Sequence, residues 1–299
     1  MTHRDDIRMT ARTATQGQVV TRFAPSPTGR LHLGHAFSAL CAHDLARTRG
    51  GRFLLRIEDI DRARCRPEHV AGIYEDLRWL GLGWDGEPVF QSARLPLYQA
   101  ALDRLKAAAL VYPCFCTRAQ IAAEIAASAA APHGPDGPLY PGTCRGLDPG
   151  ERAARIAAGE PHAWRLDIAS AAVAAGPLAW EDATAGIVKA EPAIHGDVVL
   201  ARKDTPTSYH LAVTVDDAAQ AVTDVARGQD LFAATHVHRL LQALLGLPTP
   251  RYHHHRLLTA ANGERLSKRA GSPTLAAMRA EGVDATTILQ RLRSQPAPA

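Results

Sequence analysis

Apolar and β-branched residues first gather at positions 19–23 (Val-Val-Thr-Arg-Phe), a pattern that predicts a short strand. The next six residues, Ala24-Pro25-Ser26-Pro27-Thr28-Gly29, carry two prolines and a glycine, which rules out helix and forces a loop. Over 34–49 the apolar positions Phe37, Leu40, Cys41 and Leu45 recur at helical spacing, and Gly50-Gly51 supplies a stop. Positions 52–57 predict a second strand. Positions 67–80 predict a second helix, opened by Pro67 where proline is tolerated. Strand, loop, helix, strand, helix is the order of a parallel, doubly wound α/β sheet.

A further helix is expected at 98–110. A cysteine-containing stretch and an Ala/Pro/Gly linker at 129–138 then interrupt the α/β pattern, and the Ala-rich run 119–127 reads as helix. Strands are expected at 164–168, 198–202 and, from its alternation, 209–215. Positions 230–245 predict a helix with Leu231, Thr235, His238, Leu241, Gln242 and Leu245 along one face. A short helix is expected at 284–292, with Asp284 as its N-cap. The chain shows no internal repeat. The expected organisation is an N-terminal extension (1–18), the two halves of an α/β domain (19–110 and 196–275), an inserted subdomain between them (111–195), and a C-terminal helix and tail (276–299).

Composition narrows the class. The 299 residues are 46% hydrophobic and 21% charged, a globular balance. The net charge of +4 permits contact with a polyanion. Lys and Arg are spread along the chain, so such contact would use a folded surface. No run of about 18 uncharged apolar residues occurs, so no membrane span is expected. Positions 1–18 are polar and lack the apolar core of a secretory signal, which fits a cytoplasmic chain. Five cysteines, three of them at 114, 116 and 144, fit a metal site better than a disulfide framework.

Four clusters carry candidate chemistry. At 31–35, Leu-His-Leu-Gly-His opens a helix directly after the Pro-rich loop. A helix N-terminus binds phosphate, Gly34 permits close approach, and His32 and His35 can donate hydrogen bonds to phosphate oxygens. Glu58, Asp59 and Asp61 crowd the C-terminal end of a strand, the edge where open α/β sheets bind ligands. The basic stretch 263–272, flanked by glycines and containing Ser267-Lys268, suits a loop that closes over phosphates. Cys114, Cys116 and Cys144 suit zinc, which needs a fourth ligand; general ligand chemistry favours His133. His253-His254-His255 resembles a metal site, but consecutive strand residues point to opposite faces, so metal there is not expected. Cys41 and Cys65 read as packing residues.

The stretch Arg-Phe-Ala-Pro-Ser-Pro-Thr-Gly followed by His-Leu-Gly-His resembles the first signature of class I aminoacyl-tRNA synthetases, in the glutamyl and glutaminyl branch. Arg-Ile-Glu-Asp-Ile-Asp at 56–61, Arg-Gly-Gln-Asp at 227–230 and the Ser267-Lys268 loop resemble further blocks of that family in the same order. The loop departs from Lys-Met-Ser-Lys-Ser at Arg265, Leu266 and Arg269. The resemblance implies a Rossmann-type catalytic domain with an inserted zinc-containing, acceptor-binding subdomain. It implies that His32, Gly34, His35 and Lys268 bind ATP, with His32, His35 and Lys268 catalytic. Arg22, Phe23, Ala24, Pro25, Ser26, Glu58, Tyr209 and Arg227 would bind glutamate, with Glu58 on the ammonium and Arg22 on the side-chain carboxylate. The branch also has a Cys-x-Cys…Tyr-x-x-x-Cys zinc site, which implies Tyr140 as fourth ligand beside Cys114, Cys116 and Cys144, with His133 the alternative.

About 25 residues follow the lysine loop, too few for an anticodon-binding domain. On this ground the chain resembles the glutamyl-queuosine tRNA(Asp) synthetases, a truncated family. The resemblance implies tRNA-independent activation of L-glutamate by ATP with Mg²⁺, transfer to the queuosine base of tRNA(Asp), one structural Zn²⁺, and a monomer. The rivals are a minimal synthetase charging a 3′ acceptor end and a non-catalytic tRNA-binding paralogue.

Overall fold

The computed structural model describes residues 17–127, 133–135, 137–258 and 273–294, and only the backbone of 127 and 133. The first half holds β1 (Val20–Phe23), α1 (Leu33–Arg47), β2 (Arg52–Ile57), α2 (Pro67–Trp79), β3 (Val89–Phe90) and α3 (Leu95–Ala107). Then come β4 (Val111–Cys114), α4 (Arg118–Ala127), β5 (His133–Gly134), β6 (Gly137–Pro138), α5 (Pro149–Ala157), β7 (Ala163–Leu166), α6 (Ile168–Ala175), β8 (Ala179–Asp182), β9 (Gly186–Lys189) and β10 (Val199–Ala201). The remainder is α7 (Tyr209–Ala219), β11 (Asp224–Gly228), α8 (Ala234–Leu244), β12 (Arg251–His255), α9 (Leu275–Ala280) and α10 (Ala285–Arg293).

β1, β2 and β3 form one parallel ladder. β11, β12 and β8 form another, with β9 antiparallel at its edge. The two ladders meet at β1: the Thr223 N–H donates to the Val20 carbonyl over 2.9 Å, and the Val20 N–H donates to Thr223 Oγ1 over 2.8 Å. The spatial order is therefore β3-β2-β1-β11-β12-β8, and the winding reverses between β1 and β11. That reversal opens a crevice at the C-terminal edge of the strands, where doubly wound sheets bind ligands.

Alternation along the strands sorts residues to the two faces. Phe23, Phe53, Leu55, Ile57 and Ala226 face α1 and α2 in one core. Val20, Leu54, Val225, Tyr252 and Trp180 face the other way. Both faces are covered, so residues of both alternating sets are buried along these strands. A second large core joins α3, α6, α7 and α8 to the antiparallel sheet β10-β7-β4 of the insertion. Residues 111–201 feed both sheets: β10 pairs with β7, and β8 pairs with β12. Strand pairing thus crosses the 195/196 division read from the sequence.

Positions 209–215 are not the expected strand but the first two turns of α7. Leu211 to Asp217 are all buried, so both the 3.6 and the 2.0 periods are masked, and the β-branched residues favoured the wrong reading. Thr214 fits the helix because its hydroxyl donates to the His210 carbonyl over 2.8 Å. Three helices went unread: α5, capped by Asp148, α6, capped by Asp167, and the short α9, capped by Thr274; the uniformly small apolar residues of α6 show little periodicity. Among the described residues no helix is long and apolar enough to cross a membrane.

Candidate active site

Two residues beyond each inward apolar residue, towards the strand's C-terminal end, sits a polar one: Arg56 after Leu54, Arg22 after Val20, Arg227 after Val225, His254 after Tyr252 and Asp182 after Trp180. The period of two thus builds a band of charge across five parallel strands, on the face covered by α7 and α8. All five are buried, Arg56 completely. Charges so placed persist only when paired or held by several hydrogen bonds.

α7 supplies the counter-charges. Helical spacing brings Asp216 and Asp217, seven and eight residues after Tyr209, to the same side as Tyr209. Asp217 accepts from Arg22 Nε (2.9 Å), Arg22 Nη2 (3.4 Å) and Arg56 Nη1 (2.8 Å). Asp216 accepts from Arg94 Nε (2.6 Å), the Tyr98 hydroxyl (2.7 Å) and Gln91 Nε2 (2.9 Å). Burial raises the Asp217 carboxyl, but Arg22 and Arg56 outweigh it and hold the group below the usual carboxylate range. A strand at 209–215 would have separated these residues onto opposite faces.

Asp182 is satisfied by His254 and two backbone N–H groups, whereas Arg227 in the band and Glu58 beside it lack an opposite charge at hydrogen-bond distance among the described residues. Arg227 donates to His254 Nε2 (3.1 Å), His238 Nδ1 (3.2 Å), the Tyr209 hydroxyl (3.4 Å) and Thr235 Oγ1 (2.5 Å), all neutral, and no carboxylate among the described residues pairs with it. Glu58, carried past the end of β2, accepts no side-chain hydrogen bond among the described residues; its closest cation is Arg56 Nη2 at 3.9 Å. Burial, set against Arg56 and Arg22, pushes the Glu58 carboxyl up to about 7.

The first turn of α1 closes the other side. His32 is its N-cap, and its Nδ1 accepts from the Gly34 N–H over 3.1 Å; His35 Nδ1 accepts from the His32 N–H over 3.2 Å. Each neutral ring therefore carries its proton on Nε2, and the two rings lie with centroids 3.8 Å apart. A Cβ on residue 34 would come within 2.9 Å of His32 Cε1, so Gly34 is required by the histidine itself as well as by any ligand. The Thr274 bridge to His32 ties the chain entering α9 to this turn.

One cleft of about 420 Å³ joins these groups. Arg22, Phe23, Ala24, Pro25, Ser26, His32, Gly34, His35, Glu58, Tyr209 and Arg227, every site residue expected from the first three blocks, line it. Lys268 lies outside the described residues. Arg22 reaches the cleft with its Nε/Nη2 edge already engaged by Asp217. Of the three consecutive histidines, His253 meets Asp224, His254 meets Asp182, and His255 meets Ser38.

A second centre forms in the insertion, where β4 delivers Cys114 beside Cys116, and the loop after β6 delivers Tyr140 and Cys144. The three Sγ atoms lie within 4.8 Å of one another. Cys116 and Cys144 are 3.4 Å apart, and the Tyr140 hydroxyl is 3.4 Å from Cys114 Sγ and 3.7 Å from Cys116 Sγ. A tetrahedral zinc with Zn–S of about 2.3 Å has ligand–ligand edges of roughly 3.5–3.8 Å, so this donor set fits such an ion. The side chain of His133, the alternative ligand, lies outside the described residues.

The family described as tRNA synthetases class I (E and Q), catalytic domain, matches residues 18–295. The chain belongs to this family. Like other class I synthetases it is a ligase. It is similar to a glutamyl-Q tRNA(Asp) synthetase of Rhodobacter capsulatus (52% identity, covering 90% of this chain and 98% of the relative) and to one of Symbiobacterium thermophilum (47%, covering 91% and 84%). Among solved structures, a glutamate tRNA ligase of Elizabethkingia meningosepticum in complex with its amino acid is similar at TM-score 0.72 and 29% identity over 85% of this chain. The chain spans about half of that ligase, 53% of its length.

Several residues of this synthetase site had no role in the sequence reading. Asp216 and Asp217 carried a signal, an acidic pair ending an apolar run. Arg56 carried another, a charge inside a strand of apolar residues. Asp182, His238 and Thr235 carried none, since only the packing of α8 brings His238 and Thr235 to Arg227 and only the pairing of β8 with β12 brings Asp182 to His254.

Proposed function

We propose that this chain activates L-glutamate with ATP and Mg²⁺ in the absence of tRNA and transfers the glutamyl group to the queuosine base of tRNA(Asp). The observation that carries the activation step is the pair of opposite charges held apart in one cleft. The Arg227 guanidinium has only neutral partners, and the Glu58 carboxylate makes no side-chain hydrogen bond among the described residues. An amino acid with an extra carboxylate is their complement. Glu58 takes the ammonium; Arg227 and Tyr209 take carboxylate oxygens, aided by Arg22; and the loop from Phe23 to Ser26 frames the ligand. The Nε2–H groups of His32 and His35 and the α1 N-terminus receive ATP phosphates, and Lys268 steadies the departing pyrophosphate. The glutamate carboxylate attacks the α-phosphorus and expels pyrophosphate, and a hydroxyl of the modified nucleoside then attacks the adenylate carbonyl, forming the ester and releasing AMP. The two relatives named above, covered over 98% and 84% of their own lengths, support the queuosine acceptor. The reading places the protein in the cytoplasm as a monomer.

Incubation with ATP, radiolabelled glutamate and queuosine-containing total tRNA, followed by nuclease digestion, tests the acceptor. Label is expected on the queuosine nucleoside. Label on the terminal adenosine would make the chain a minimal glutamyl-tRNA synthetase. Absence of both transfer and pyrophosphate exchange would leave a non-catalytic paralogue.

The cysteine centre is assigned to one structural Zn²⁺ held by Cys114, Cys116, Tyr140 and Cys144, which would tie β4 to the loop after β6. Protein purified without chelator is expected to carry about one zinc per chain by elemental analysis, and Cys144→Ser to lose it. A zinc content near zero in the unaltered protein would remove the assignment.

A further inference from the structure

Arg227 is held on its Nε side by a relay that ends in a backbone turn. Its Nε–H donates to His254 Nε2 over 3.1 Å, and His254 Nδ1 lies 2.7 Å from Asp182 Oδ2. Asp182 Oδ1 accepts from the backbone N–H groups of Thr184 and Ala185, each at 2.9 Å. His254 and Asp182 are each 2% exposed. The imidazole is walled by Trp180, at a centroid distance of 5.7 Å, and by Tyr252, parallel to it within 4°.

The hydrogen-bond directions allow one proton arrangement. A guanidinium N–H can only donate, so His254 Nε2 must offer a lone pair and the ring proton must sit on Nδ1, where Asp182 accepts it. Protonating the ring, or moving its proton to Nε2, would set N–H against N–H. Burial and the Arg227 charge push the imidazole down to about 4, which keeps it neutral at ordinary pH. Asp182 is thus the group that selects the tautomer, and the tautomer fixes one edge of the guanidinium.

We propose that Asp182 is a positioning residue for amino-acid recognition, acting through His254 to hold Arg227 in the orientation that receives the substrate carboxylate. This rests on the reading that Arg227 binds glutamate.

Asp182→Asn separates this role from packing. The substitution is isosteric, and the two backbone N–H groups keep an oxygen at Oδ1. The new amide nitrogen must then face His254 Nδ1 as a donor, which drives the ring proton to Nε2, against Arg227. The expected result in pyrophosphate exchange is a KM for glutamate raised about 10-fold, the loss of one buried hydrogen bond, with kcat and the KM for ATP changed less than about 3-fold. Nitrogen-15 spectra of labelled histidine should show the His254 proton moved from Nδ1 to Nε2. A moved proton with unchanged KM for glutamate overturns the proposal, as does a proton that stays on Nδ1. A parallel loss in both KM values and in melting temperature would show a merely structural role and overturns it too. Arg227→Lys, run alongside, keeps the charge but loses the fork. An unchanged KM for glutamate in that variant would remove Arg227 from substrate binding, a failure of the functional reading rather than of the relay.

Discussion

Replacing Glu58 by glutamine is expected to raise the KM for glutamate by about 30- to 100-fold, the cost of roughly 2–3 kcal/mol for a charge-assisted hydrogen bond to an ammonium group. Folding should be little affected. Glu58 is mostly shielded from solvent, its carboxyl is already pushed up to about 7 by desolvation, and Arg56 retains Asp217 at 2.8 Å. The same shift sets a pH dependence. Glutamate's ammonium stays charged throughout, but only ionised Glu58 can receive it, so binding below pH 7 must release a proton. The KM for glutamate should therefore fall as pH rises from 6 to 8 and then level off, and the glutamine variant should show no such fall. Steady-state pyrophosphate exchange across that range checks both statements. A variant with unaltered KM would remove Glu58 from the ammonium site.

The larger effect on stability is expected at Asp217, whose replacement by alanine should destabilise the fold by about 3–5 kcal/mol. The substitution strands two buried guanidinium groups, Arg22 and Arg56, that share this one carboxylate. Arg56 keeps its hydrogen bond to Gln220 Oε1 at 2.9 Å, but among the described residues its remaining counter-charges are Asp216 and Glu58, each at 3.9 Å. Because Arg22 and Arg56 depress the Asp217 carboxyl against the pull of burial, its contribution is present above the unfolded-state value near 4. It is lost as pH falls through the lower folded value. Urea unfolding at neutral pH measures the first effect, and an acid series the second. A midpoint unchanged from that of the unaltered protein would mean that Asp216 and Glu58 neutralise both arginines unaided.

The band of charge explains why the site was only partly legible. Side chains that meet ligand sit in local signals: a loop forced by Pro25 and Pro27, a glycine between His32 and His35, an acid at the end of a strand. Each can be read within a few residues because its chemistry depends on its immediate backbone. The side chains that hold these groups in place cannot. Asp217 reaches Arg22 across 195 positions, and Asp182 reaches His254 across 72. Their meeting depends on strand order and on α7 being a helix, a choice that the pattern at 209–215 did not reveal.

The sequence by itself determined the parallel α/β frame, through alternating turn-forming and apolar segments, and the ligand-facing loop, strand end and thiol cluster, whose residue types fix their chemistry. The tertiary structure decided which charges are neutralised and which remain for substrate. Arg22 and Arg227 are both arginines on strands that share a sheet. One is engaged by Asp217 of α7, and the other is surrounded by neutral His238, His254, Thr235 and Tyr209. Nothing local distinguishes them. The difference lies in the low-dielectric interior, where a charge is defined by the groups that long-range packing sets against it.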